Sequence, residues 1–299
     1  MSKPVPRSIQ EYLDQLRAEL AGADPALIQD AVYDAEEYIR GEMDSNRGKS
    51  EEEILAAICT SYGAPEEVAE AYRTTEAKVQ QAMRTPRPKP RKSALGRFFS
   101  VYADPYSYTA LLYMLLALPI GIFCFVWTVV GLSMSAGFMV LIIGIPFFLL
   151  FLGSIRLFSL VEGRIVEVML GIRMPRRPVS PGIAKQPMME RIKEVFVDPR
   201  TWSTILYMLV LLPLGILYFT FAIAVGSTAL SLIFAPIEAA FTPGIWFSFD
   251  DFNVLTIPWI FTPILTVFGL LLLTGLMYTA KGVAWFHGHL AKNLLVKAA

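Results

Sequence analysis

Residues 101–133 read VYADPYSYTALLYMLLALPIGIFCFVWTVVGLS, and residues 195–227 read VFVDPRTWSTILYMLVLLPLGILYFTFAIAVGS. Laid over each other without a gap, they place Asp104-Pro105 on Asp198-Pro199, Tyr113-Met114 on Tyr207-Met208, Pro119 on Pro213 and Gly121 on Gly215. One register held over that distance marks an internal duplication. Each copy leads into an uncharged run, Tyr108 to Ser133 and Thr204 to Phe234. Both exceed the ~20 residues that cross a ~30 Å hydrocarbon core at ~1.5 Å per residue. Asp is a good N-cap and Pro fits the first helical turn, so each Asp-Pro reads as the start of a spanning helix. Asp104 and Asp198 are therefore expected to be structural groups at the rim rather than ion carriers.

Two more uncharged runs follow, about Gly137 to Ile155 and Trp259 to Ala280. A helix satisfies its own backbone in lipid, so four spanning helices are predicted, arranged as two repeated hairpins of parallel topology. The tails Leu160–Gly171 and Trp285–Val296 resemble each other. They either continue the spans or lie along the membrane surface. Short amphipathic segments are expected before each Asp-Pro, at Phe98, Phe99 and Val101 and at Met188, Met189, Ile192, Val195 and Phe196. The segment SMSAG (133–137) and the stretch Ala235–Pro258 lack Lys and Arg, whereas Arg156, Arg164, Arg173, Arg176, Arg177, Lys185, Arg191, Lys193 and Arg200 crowd the central loop. The positive-inside rule then predicts a multi-pass protein of the cell membrane with both termini cytoplasmic.

Of the 299 residues, 55% are hydrophobic and 17% charged, and 26 basic side chains balance 26 acidic ones. The balance hides three parts. Residues 1–80 carry net −9, residues 81–97 net +6, and the remainder net +3. A single soluble domain is excluded. Cys59 and Cys124 sit in unlike parts and imply no disulfide framework. The polar start lacks the apolar core of a signal peptide, which leaves the acidic part expected in the cytosol.

The acidic part reads as a small bundle of three or four helices. Ser8 with Glu11 and Ser50 with Glu53 have capping-box spacing, Asp24-Pro25 opens a second helix, and Gly63 ends a third. Apolar stripes such as Tyr12, Leu13, Leu16 and Leu20 follow helical periodicity. The run from Ile9 to Tyr72, with EEYI at 36–39, SEEEI at 50–54 and GAPEEVAEAY at 63–72, resembles the HAAS (DUF1700-like) domain of bacterial membrane proteins. That resemblance implies signalling through a PadR-type regulator or a joined sensory module, with no catalytic residues. The candidate partner-binding face is Glu36, Glu37, Glu66 and Glu67. Next, Pro86, Pro88 and Pro90 alternate with Arg87, Lys89, Arg91 and Lys92, an extended basic tether suited to lipid headgroups and not to nucleic acid.

From Phe98 onward, the VYADP motif, the paired spans and SLVEGRIVEVMLGI (159–172) resemble the "putative sensor" membrane domain, known fused to actinobacterial histidine kinases. No phosphoacceptor-His helix or Gly-rich ATP-binding region accompanies it here, so the output is expected to pass through another protein. Within Ala235–Pro258, Trp246, Phe249, Asp250 and Asp251 form a candidate stimulus-binding group, against the simpler reading of an interfacial aromatic belt. His287 and His289 lack further ligands for a metal and read as polar positions of an interfacial helix. No cofactor, metal site or catalytic set is expected.

These readings give an all-α chain divided into a HAAS-like domain (1–84), a basic linker (85–97), a first membrane repeat (98–172), a cytoplasmic linker (173–186) and a second repeat (187–299). The expected function is a non-enzymatic membrane sensor that signals to a separate cytosolic regulator or kinase, or through a homo-oligomer. The alternative is a permease or accessory transport subunit. Against it, the spans read as free of ionisable residues in mid-membrane.

Overall fold

The computed structural model describes residues 6–46, 48–83, 96, 98–139, 144–177, 198–241, 245–250, 253–257 and 259–296. The tether residues Arg87, Lys89, Arg91 and Lys92, the amphipathic segment expected at 188–197, and Asp251 lie outside them. The described chain is helical apart from one short β-hairpin, with four helices long and apolar enough to cross a membrane. It divides into two compact units.

The first unit comprises residues 1–84, 126–209 and 288–299. Its N-terminal head has four helices: α1 (Ile9–Glu19), α2 (Pro25–Ser45), α3 (Glu51–Ser61) and α4 (Pro65–Met83). Their starts follow the capping chemistry. Ser8 Oγ accepts the Glu11 N–H, although the Glu11 carboxylate turns to the Arg7 N–H and closes the box one residue early. Asp24 Oδ1 accepts the Ala26 N–H at 2.9 Å, and Ser50 with Glu53 makes both halves of its box. Gly63 ends α3 at φ +117°, a left-handed conformation that a side chain would strain, and its carbonyl accepts the Tyr12 hydroxyl at 2.8 Å. The apolar stripes meet in one core, which includes Leu16, Leu20, Ala35, Ile39, Leu55, Ile58 and Val68.

The same unit holds part of α5 (Pro105–Met139), all of α6 (Gly144–Leu170), part of α7 (Pro199–Phe241) and the end of the last helix. Phe148, Phe151, Leu152 and Ile155 of α6 pack with Ile205 of α7. Gly131 leaves room for the Phe151 ring, which a Cβ there would overlap. The segment SMSAG, expected as a loop, continues α5. The Ser135 hydroxyl bonds the Gly131 carbonyl at 2.6 Å, so its polarity is satisfied inside the helix. At its far end α6 closes on Gly171, at φ +68°.

The second unit comprises residues 85–125 and 210–287. Here α5 and α7 touch backbone to backbone. A Cβ at Gly121 would stand 2.7 Å from the Leu211 carbonyl oxygen, and one at Gly215 would collide with the Ala117 carbonyl. Ala117 and Leu211 are themselves repeat equivalents, so the contact is reciprocal. After α7 comes an antiparallel hairpin, β1 (Ile245–Asp250) with β2 (Asn253–Ile257), pairing Ile245 with Ile257 and Asp250 with Asn253. This short hairpin falls in the stretch Ala235–Pro258 that holds the candidate stimulus-binding residues. The last helix, α8 (Thr262–Leu295), runs unbroken through the second tail, as α6 does through the first. The tails therefore extend the spans.

The alignment that carries α5 onto α7 by 94 residues carries α6 onto α8 by 125, with Gly144 on Gly269, Arg156 on Lys281 and Gly163 on Gly288. Contacts follow the exchange. In the second unit Asp104 pairs with Lys281 at 2.6 Å, and in the first its equivalent Asp198 pairs with Arg156 at 3.9 Å. Both aspartates also cap their helices, accepting the N–H of Tyr106 and of Arg200 at 3.1 Å.

Candidate functional site

Within the first unit the head is fixed to the segment that leaves α6, residues 171–177. Asp30, on the second turn of α2, is the centre of this anchorage. Its Oδ1 accepts the successive backbone N–H groups of Arg176 (2.6 Å) and Arg177 (2.8 Å), and its Oδ2 accepts Arg173 Nη2 at 2.8 Å. Arg173 also reaches Glu76 of α4 (3.2 Å) and Glu167 of α6 (3.1 Å), so one guanidinium joins three carboxylates from three helices. Its side chain is 9% exposed, and those of Asp30 and Glu167 are 6% and 2% exposed. Around this centre, Glu167 receives Arg176 and Arg164, and Arg177 pairs with Asp34 while lying over the Tyr33 ring. Gln29 bridges the Arg177 carbonyl and the Arg200 guanidinium, and Asp24 pairs with Lys292 in the tail of α8.

Four carboxylates thus meet four guanidiniums; Asp30, Glu76, Glu167 and Arg173 are buried at the centre, whereas Arg164 and Arg177 are half-exposed. Such a cluster adds little net stability, because desolvation offsets most of the attraction, but removing one member strands the others at a cost of about 3–5 kcal/mol. Its value is geometric: bonds from α2 and α4 of the head converge on Arg173, Arg176 and Arg177, and Glu167 of α6 holds Arg173 and Arg176 in turn. Burial pushes the Asp30 carboxyl above its ordinary range, against the opposing pull of the Arg176 N–H, the Arg173 guanidinium and the Arg177 N–H. Beside the cluster lies a cavity of about 400 Å³.

A family model described as "Putative sensor" matches residues 113–295, well over half of the chain. The chain belongs to the Sensor family. A second model, HAAS, matches residues 11–71, so this Sensor-family member carries a HAAS head. Both resemblances read from the sequence are met, and with four apolar helices the chain is a membrane protein of sensor type. No curated protein and no solved structure matches it.

Of the acidic residues picked out in the head of this Sensor-family chain, one is buried. Glu36 is buried and bonded to Arg40 at 2.8 Å, and Glu67 bonds the Ala64 N–H at the start of α4, while Glu37 and Glu66 are exposed. Trp246, Phe249 and Asp250 fall on β1. His287 departs from the interfacial reading: it is fully buried, with Nε2 2.6 Å from the Tyr113 hydroxyl and its ring against Tyr218, whereas His289 is exposed. Among the described residues no group of three or more His, Cys, Asp and Glu is placed to hold a metal. Sequence reasoning missed Asp30, Glu76 and Arg173. The signal available for Arg173, Arg176 and Arg177 was charge density alone, which was read as topology.

Proposed function

We propose that this protein reports the state of its membrane domain by holding or releasing its HAAS head. The observation that carries the reading is the Asp30–Arg173 centre, which ties α2 to the segment continuing from α6. A shift or rotation of α6 that moves Glu167 or Arg173 breaks bonds to the head, and so couples span packing to the head's freedom. In this reading the head and both chain termini face the cytosol, and the head signals to a PadR-type regulator or a kinase, or pairs with a second copy. The exposed Glu37, Glu66 and Glu67 offer an acidic face to that partner. Trp246, Phe249, Asp250 and Asp251 are candidates for the stimulus side, and Arg87, Lys89, Arg91 and Lys92 for contact with lipid headgroups. No catalytic step is assigned to the chain.

The test is co-purification of the full-length protein from native membranes, comparing wild type with Asp30→Ala and Arg173→Ala. A cytosolic regulator or kinase retained in amounts that differ between wild type and the variants supports the relay. Identical recovery in all three, or recovery of transport components alone, overturns it.

A further inference from the structure

The cavity of about 400 Å³ beside the anchorage is large enough for a small ligand. Tyr72, Thr75 and Val79 of α4 line it with four arginines, Arg164, Arg173, Arg176 and Arg177, and three carboxylates, Asp30, Asp34 and Glu76. Arg173 is already spent, enclosed by Asp30, Glu76 and Glu167 and bonded to the Met174 carbonyl. The other three arginines are not. Among the described residues, Arg164 reaches Glu167 through Nη1 alone and Arg176 reaches it through Nη2 alone, and Arg176 Nε is buried without a hydrogen-bond partner. Arg177 Nε lies 2.8 Å from Asp34 Oδ1, yet that oxygen makes no hydrogen bond, so the pair is close but misaligned.

A guanidinium carries five N–H donors in a fixed fork, so among the described residues these three arginines keep most of their donors without a protein partner, those of the half-exposed Arg164 and Arg177 being open to water. Charge in the cluster is already matched, and what remains is unspent donor capacity. That deficit is met by a compact group with several acceptor oxygens, for which arginine forks are well matched when the group is a phosphate. We infer that this cavity binds a phosphate group, held by Arg164, Arg176 and Arg177. Its source is either a soluble phosphate compound or the headgroup of an anionic lipid. Once bound, the phosphate competes with Asp34 and Glu167 for these arginines and loosens the head. That consequence rests on the relay reading, and the binding itself does not.

The experiment uses the full chain in nanodiscs of neutral phosphatidylcholine, titrated with pyrophosphate and followed by calorimetry. In parallel, amide exchange across 24–34 and 171–177 is compared in neutral and phosphatidylglycerol-containing discs. Saturable pyrophosphate binding that weakens at least ~10-fold in Arg176→Gln and Arg177→Gln, but not in Arg17→Gln, assigns a soluble source. Absence of pyrophosphate binding, with exchange that rises in phosphatidylglycerol discs for wild type only, assigns the lipid. Neither response in the wild-type protein overturns the inference whether or not the variants fold, as does binding that survives both arginine substitutions. Pyrophosphate binding with unchanged exchange keeps the site and overturns its effect on the head.

Discussion

The Tyr113 hydroxyl lies 2.6 Å from His287 Nε2, a buried pair linking α5 to α8. The repeat equivalents Tyr207 and Glu162 make the corresponding contact between α7 and α6 at 3.3 Å. The tyrosine is common to both halves, while its partner has become histidine in one and glutamate in the other. Tyr113→Phe keeps the ring and removes the bond. Bonds of this kind within membrane helices contribute about 0.6 kcal/mol on average and up to about 1.7. A lower Tm in detergent is expected for Tyr113→Phe and for Tyr207→Phe, with shifts that add because the pairs share no residue. A Tm equal to wild type in both would show that neither bond holds the helices.

These pairs also show where sequence reading stopped. The aligned Asp-Pro motifs gave the helix starts, and the capping residues of the head gave most of its boundaries, because both are local chemistry. The similarity of the two tails was visible, but whether they ran on as helix was not, since a helix lying on a surface has the same periodicity. The anchorage was out of reach for another reason. Asp30 and Arg173 are 143 positions apart, and in a loop full of basic residues nothing local distinguishes the one that becomes buried.

Gly121 and Gly215 are needed for close approach rather than for unusual backbone angles. Gly121→Ile would drive a branched side chain into the backbone at Leu211, and overpacking of that kind costs about 1–3 kcal/mol. Gly137, also on α5, has nothing within 4 Å of an added Cβ, and Gly137→Ala should be neutral or gain up to ~1 kcal/mol in helix propensity. Thermal unfolding of both variants in one detergent checks the contrast. Equal Tm values would rule out the backbone contact as a determinant of packing.

Arg173→Met removes the one guanidinium shared by Asp30, Glu76 and Glu167 and leaves three carboxylates in a buried site. The expected loss is about 3–5 kcal/mol of head docking, against about 0–1 kcal/mol for breaking the exposed Arg17–Asp14 pair with Arg17→Met. Limited proteolysis between the head and the membrane domain reads the difference. The Arg173 variant should be cut much faster, and the Arg17 variant at the wild-type rate.

Acid should favour the anchorage through Asp30. Burial raises its carboxyl above the ordinary value of 3.8, so the docked state holds a proton that the free head releases. The Asp30 contribution is therefore fully present below the free value and is lost as pH rises through the raised one, above which it is flat. Glu76, Glu167 and Asp34 share the cluster's arginines, so the useful quantity is the difference between wild type and Asp30→Asn, which keeps an acceptor oxygen but cannot ionise. Amide exchange of α2 measured from neutral pH downward, and corrected for the intrinsic rate, should show wild type gaining protection relative to the variant as pH falls. A difference that shrinks with acid would mean that Asp30 is anchored as a charge, with the arginine bonds outweighing burial.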